Sequence, residues 1–372
     1  MKFLNAIRFS ADVSVSKATS FEGDEQSDII KNLLRSSVLI RPEIFPRVYA
    51  NIKIALANIG QKEELDTFFL YQSNDMQAAY VRGIGYCKKP VFLLSSSIIE
   101  RMSDDELKFV IGHEYGHYFY RHTSIPETAN PVSVLRKSML SRASEISADR
   151  IGLIACGNVK AATSVIIKLT TGLDEKNVKF NISALLKQYK ELLKFGPSAE
   201  EAMSSHPLFL IRLKALVLFS RTKQYLERNN FRNSRQIAVS EVDEILLKDF
   251  RKLSGFALSE IDNTIVQNVM LLGAMLIFAS DRHLSKDEQM FFYDYFGDID
   301  YSWTIDILKE KGIEGLSFEF EKSLRYILSS NFKDEYLERL VNFFKILAET
   351  FSSEDTKRFR SIIHGIFGEN PF

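Results

Sequence analysis

The sequence predicts an α+β fold that is mostly α. Three short runs rich in β-branched and aromatic residues, 67–71 (TFFLY), 79–81 and 91–95 (VFLLS), lie close together between polar or Gly residues and predict a small sheet. Almost everything after residue 100 instead repeats apolar residues at helical spacing. At 372 residues the chain exceeds one compact core of ordinary size, which predicts two domains, or three.

Taken in order, residues 1–40 carry no strong pattern and read as a loose N-terminal arm. Helical spacing begins near residue 41 and stops at Gly60. After the three strands, Ser103-Asp104-Asp105-Glu106 combines an N-cap Ser with a Glu three residues on. It predicts a capping box and a helix over 104–121. Pro131 marks a break, and a second long helix is predicted over 132–155, stopping at Gly157. Further helices are expected at 159–171, 182–195 and 207–228. The polar stretch 229–235 (NNFRNSR) reads as a linker. Beyond it, helices are expected near 240–252, 259–280, 286–296, 302–311, 318–329, 334–350 and 354–366. The organisation is then an arm (1–40), a domain over 41–230 that holds the sheet, and an all-α domain over 231–372.

Composition excludes some functions. Hydrophobic residues make up 45% and charged residues 26%, ordinary for a folded protein. Lys+Arg and Asp+Glu number 48 each, so no basic excess points to nucleic acid. The two cysteines, Cys87 and Cys156, have no ligand-spaced Cys or His neighbour and read as buried small apolar residues. Arg8 interrupts the N-terminal apolar run, so it does not read as a signal peptide. The purely apolar part of 264–280 covers only 269–279, short of a span of roughly 20 residues, and reads as a buried helix. No stable membrane insertion and a cytoplasmic location are therefore expected.

Chemistry is concentrated in the helix opened by Ser103, which contains His113-Glu114-Tyr115-Gly116-His117. Two His at i and i+4 share one helical face, the spacing needed for two ligands of one tetrahedral Zn²⁺. Glu114, beside the first His, is placed to act as a general base. Phe109, Val110, Ile111, Tyr118, Phe119 and Tyr120 flank the motif and predict a mostly buried helix, where two His and a Glu need a partner such as a metal. Tyr120 and Thr123 stand where a metzincin would have Gly and His, which excludes that arrangement. His122 lies too near along the helix to be well aimed as a ligand. Glu145, in Glu145-Ile146-Ser147-Ala148-Asp149 on the next helix, is the candidate third ligand. Asp149, one turn beyond it, can accept the free N–H of a zinc-bound imidazole. One Zn²⁺ per chain is expected.

These residues resemble the HtpX-like and CAAX-prenyl-protease family of zinc metallopeptidases, which pairs H-E-x-x-H with a downstream E-x-x-x-D. The resemblance covers about 45–225, including VFLLSSSIIERMSDDELKFVIGHEYGH and His206-Pro207 followed by Arg212. It implies a gluzincin-type metallopeptidase domain, with zinc on His113, His117 and Glu145 and Glu114 as base. It also implies that His206 or Arg212 lies near the metal and helps hold substrate or transition-state charge. The sequence departs from the family at Ala78-Ala79-Tyr80, preceded by Gln77, where members often have Asn-Ala-Phe or Asn-Ala-Tyr, and in lacking membrane spans around the catalytic domain.

Residues 259–367 resemble, more weakly, the tellurite-resistance TerB-like helical domain, through MLLGAMLIFASDRHLSKDEQMFFYDYFG (270–297). The resemblance implies a metal or partner site at Asp281 and Glu288, with Arg282 where a Gly is common. Ser285-Lys286-Asp287-Glu288 is also a capping box, which accounts for Glu288 without a metal. The aromatic run 291–296 reads as helical core, and His283 and His364 as lone structural or surface residues. The expected activity is peptide-bond hydrolysis on a protein or peptide substrate, paired with a sheet edge near 78–84. Two alternatives stand beside it. One is a latent or structural zinc protein whose site is closed by a group such as His206. The other is an adaptor acting on a protein partner through the C-terminal helices.

Overall fold

The computed structural model describes residues 2–12, 31–62, 67–81, 90–122, 131–174, 176–177, 181–195, 201, 204, 206–231, 236–254, 264–280, 284, 286, 289, 292–293, 296, 299–330, 334–350 and 356–368. They are mostly helical, with one small four-stranded sheet. In chain order the elements are α1 (Lys2–Ala6), β1 (Val38–Leu39), α2 (Pro46–Asn58), β2 (Phe68–Tyr71), β3 (Ala78–Val81), β4 (Val91–Ser95), α3 (Ser96–Arg101), α4 (Asp104–Phe119), α5 (Pro131–Cys156), α6 (Val159–Thr171) and α7 (Ile182–Leu192). There follow α8 (Phe209–Phe219), α9 (Lys223–Arg228), α10 (Val239–Ser254), α11 (Thr264–Phe278), α12 (Ser302–Ser329), α13 (Asp334–Thr350) and α14 (Lys357–Phe367).

The chain divides into two compact units. The first comprises Met1–Ile125, Leu140–Tyr189 and His206–Leu246. Its sheet has the order β1-β2-β4-β3, with β2 and β4 parallel and both outer strands antiparallel to their neighbours. Phe68 stands opposite Phe92, and their rings stack at 4.5 Å. β3 is an edge strand.

Local chemistry sets the helix ends. The Ser103 box is formed in full: its side chain accepts from the Glu106 N–H, and the Glu106 carboxylate accepts from the Ser103 N–H. Asn158 caps α6, whose other end closes on Gly172 at φ 68°. The helix expected over 207–228 is broken, because Thr222 accepts from the Tyr225 N–H and starts α9.

Helices α4 and α5 approach at backbone distance. A Cβ on Gly116 would lie 2.8 Å from the Ala148 Cα, and one on Gly152 would lie 2.8 Å from the Phe109 carbonyl oxygen. Small residues on both faces are what permit this contact. It brings His113 and His117 on one helix to Glu145 on the other.

The expectation of a loose arm does not hold for residues 2–12. Leu4, Ile7 and Phe9 are buried apolar groups, and Asp12 is buried as well. The Phe9 N–H donates to Ser147 Oγ at 3.0 Å, and Arg150 donates to the Ile7 carbonyl at 3.1 Å. A segment of eleven residues is too short to show a clear period, which is why the sequence pattern misses it. The first unit also runs past the boundary expected at 230. Val239, Val242 and Leu246 are buried, and Asp243 pairs with the buried Arg150 at 2.6 Å.

The second unit comprises Pro126–Met139, Lys190–Ser205 and Leu247–Phe372, and its described elements are helices. α11 is buried continuously from Val269 to Phe278, and Phe320, Phe344 and Phe359 pack with ring centroids 5.3–5.6 Å apart. Gly312, at φ 67°, breaks α12 between the two helices expected there. No helix among the described residues is long and apolar enough to cross a membrane. Phe292 and Phe296 of the aromatic run are buried, while Tyr293 is 67% exposed. Asp281, Arg282, His283 and Glu288, on which the TerB-like reading turned, lie outside the described residues, as does Cys87. Cys156 is a buried free thiol whose pKa burial pushes up to about 12, so it stays protonated and unreactive.

Candidate metal centre

His113, Glu114 and His117 project from α4 and Glu145 and Asp149 from α5, all within the first unit. One ligand atom from each of His113, His117 and Glu145 lies within 4.8 Å of the others. The separations are 3.0 Å between the two Nε2 atoms, 3.6 Å from His113 Nε2 to Glu145 Oε2 and 3.3 Å from His117 Nε2 to Glu145 Oε1. Ligands bonded at about 2.05 Å to a tetrahedral Zn²⁺ are about 3.3 Å apart, so the triangle has the size such an ion requires.

Charge gives the same answer. Glu114, Glu145 and Asp149 are all buried, and Arg212 is the guanidinium beside them. Three carboxylates against one guanidinium leave a formal excess of two negative charges among these residues, which a dication would balance. Burial works to raise the Glu145 carboxyl, but Arg212 and the two imidazoles hold it well below the usual carboxylate range. Burial likewise opposes ionisation of Asp149, and Arg212 outweighs it. For His117, burial pulls the pKa down while the Glu145 carboxylate raises it further, leaving it above its ordinary value.

Asp149 Oδ1 lies 3.0 Å from His113 Nδ1. An ionised carboxylate only accepts, so His113 carries its proton on Nδ1 and offers a bare Nε2 lone pair to the ligand triangle. Arg212 grips Asp149 with two bonds, Nε to Oδ2 at 2.8 Å and Nη2 to Oδ1 at 2.7 Å, and its Nη1 lies 3.4 Å from Glu145 Oε2. It therefore sits as an ion-pair partner of the E-x-x-x-D carboxylates. His206 is different: its Nδ1 is 3.7 Å from Glu145 Oε1, yet its side chain is 69% exposed.

The triangle opens on a cleft of about 830 Å³, lined by Glu114, His206, Ile98, Leu169 and the edge-strand residues Ala78 and Ala79. Ala78 stands where the family pattern has Asn, and Gln77 just before it has both main-chain groups tied to Ser95.

Sequence reasoning missed the surroundings of His117. His117 Nδ1 is 2.9 Å from His122 Nδ1, and His122 Nε2 is 2.8 Å from Asp12 Oδ2. Burial lowers the His122 pKa despite the Asp12 carboxylate. Asp12 lies 110 residues away in sequence, where no local signal reaches. The trace that was available is His122 itself, placed just past the helix end where a turn can send it back.

Two overlapping stretches of the chain, 43–128 and 127–218, match the model of peptidase family M48. The plastoglobule-localized metallopeptidase 48, chloroplastic, of Arabidopsis thaliana is 27% identical over 177 residues, covering 40% of this chain and 52% of that protein. The chain thus spans about half the length of the curated relative it matches. No solved structure matches it. The matched stretches contain His113, Glu114, His117, Glu145, Asp149, His206 and Arg212, so the part of the chain that builds the candidate metal centre is similar to a metallopeptidase family.

Proposed function

We propose that the protein is a zinc-dependent endopeptidase that hydrolyses extended protein or peptide segments. The observation that carries this reading is the ligand triangle of His113, His117 and Glu145, with Glu114 beside it in a cleft rimmed by a sheet edge. The similarity to peptidase family M48 supports the same class.

Zinc held by the three ligands would supply Lewis acidity toward a carbonyl and toward water. The remaining work falls to the chain. Asp149 keeps His113 in the tautomer that offers Nε2, and Arg212 holds both Asp149 and Glu145 in place. Glu114 takes the proton of the attacking water and delivers it to the leaving amine nitrogen. An extended substrate adds to β3, so main-chain bonds supply affinity and sequence preference is loose. His206, exposed at the cleft, is the candidate donor to developing oxyanion charge. We assign Arg212 a positioning role, because its guanidinium is committed to the two carboxylates.

Glu114→Gln tests the reading. The variant is expected to bind zinc like the wild type and to lose hydrolysis of unfolded casein; equal turnover in both would remove Glu114 from the mechanism. A second reading, a latent enzyme closed by His206, is favoured by the 3.7 Å approach of His206 to Glu145. In that case His206→Ala raises turnover, whereas loss of an oxyanion donor lowers it. A protein partner for the C-terminal helices belongs to the same proposal, supported by Phe318 and Tyr326, both more than half exposed on α12.

A further inference from the structure

Helix α4 ends in a way that returns the chain to its own metal ligand. Arg121 takes the left-handed conformation at φ 59°. The His122 N–H then donates to the His117 carbonyl at 2.9 Å, and the Arg121 N–H to the Tyr118 carbonyl at 3.1 Å. This is a Schellman closure built without glycine, and the left-handed turn costs a non-glycine residue roughly 1 kcal/mol. Its consequence is that the His122 ring packs against His117, with centroids 5.0 Å apart.

The N-terminal segment meets that ring from the other side. Asp12 is 2% exposed and sits 2.8 Å from His122 Nε2. Arg8 donates to both Asp12 oxygens, at 3.0 and 3.1 Å. The segment is fastened to both metal-bearing helices: Phe9 to Ser147 of the E-x-x-x-D stretch, and the Leu4 carbonyl to the Tyr120 hydroxyl at 2.6 Å.

Hydrogen-bond polarity then runs in one direction. The Asp12 carboxylate only accepts, so His122 donates from Nε2. Neutral His122 is left with a lone pair on Nδ1. The 2.9 Å contact requires His117 to donate from its own Nδ1, and this leaves His117 Nε2 bare. Asp149 does the same for His113. Two bare Nε2 atoms 3.0 Å apart repel each other unless a cation lies between them.

We propose that Asp12 and His122 are positioning residues that set the tautomer of His117, making the N-terminal segment a working part of the metal centre. Asp12 lies outside the stretches that match the peptidase family, so this support belongs to the chain's own N-terminus. The inference rests on the metallopeptidase reading above, and its test separates the two.

Full-length wild type, His122→Phe, His122→Gln and Asp12→Asn are compared by three measurements. These are zinc affinity by chelator competition, the visible absorption of the cobalt(II)-substituted protein, and melting of the metal-free protein. His122→Phe removes the acceptor and is expected to weaken zinc binding about 10–100-fold and to alter the cobalt bands. His122→Gln restores an acceptor oxygen and should recover most of the affinity. Asp12→Asn, nearly isosteric and the variant to rely on if His122→Phe does not fold, should fall between. Affinities within twofold of wild type with unchanged cobalt bands, even alongside a lower melting temperature, would overturn the relay and leave the metal reading intact. Wild-type protein that takes up no zinc would overturn both.

Discussion

Replacing Gly116 by Ala puts a Cβ 2.8 Å from the Ala148 Cα, where ordinary contact begins at 3.4 Å. Relaxing the contact to an ordinary distance parts the helices by about 3.4 − 2.8 = 0.6 Å. Gly116 stands between His113 and His117, and Ala148 between Glu145 and Asp149, so the separation passes directly into the ligand triangle. Metal–ligand distances hold to within about 0.2 Å, so the shift is roughly three times what the site tolerates. A zinc affinity weaker by about 10–100-fold is expected. Stability should change less. Ala gains about 1 kcal/mol of helix propensity over Gly, and overpacking costs about 1–3 kcal/mol, leaving a net loss of about 0–2 kcal/mol. Chelator competition and thermal melting of the metal-free protein measure the two effects separately. Zinc affinity within twofold of wild type would refute the argument that the close helix approach sets the ligand spacing.

Gly112→Ala should act on folding first, because its Cβ would lie only 2.3 Å from that of Ala155, a tighter clash than at Gly116; a melting temperature lower than that of Gly116→Ala checks this. The buried Glu106–Lys168 pair, 2.7 Å apart, gives a pH prediction. Burial works to raise the Glu106 pKa, but hydrogen bonds from Lys168, Ser164 and the Ser103 backbone leave it below its ordinary value. A depressed folded-state pKa stabilises above the unfolded value of about 4.3 and is lost as pH falls through the folded value. Glu106→Gln should therefore cost about 3–5 kcal/mol at pH 7, through the stranded Lys168, and progressively less below about pH 4. Denaturant melts of both proteins from pH 7 to 3 measure it, and a constant difference across that range would contradict the assignment.

Much of the fold was legible because it follows from short-range chemistry. The Ser103 capping box, the apolar run of β4, the helix over 159–171 and the interruption between 311 and 318 each depend on neighbours in sequence. The pairing of His113 and His117 in the candidate site was legible for a related reason: i, i+4 spacing puts two side chains on one helical face whatever surrounds the helix. What stayed hidden depends on partners far along the chain. β1 is two residues long and exists only through its pairing with β2. Asp12 and Phe9 matter only once α5 and the end of α4 bring Ser147 and His122 to them. Arg212 carried a role implied by resemblance, and its commitment to Asp149 required coordinates.

The account stands on one divalent cation held jointly by α4 and α5. Its most direct test is the zinc content of purified wild-type and Glu145→Ala protein after dialysis against a weak chelator, by mass spectrometry of the metal. About one zinc per wild-type chain and a small fraction of that in Glu145→Ala is the predicted result. No zinc in the wild type, or equal zinc in both proteins, would contradict it.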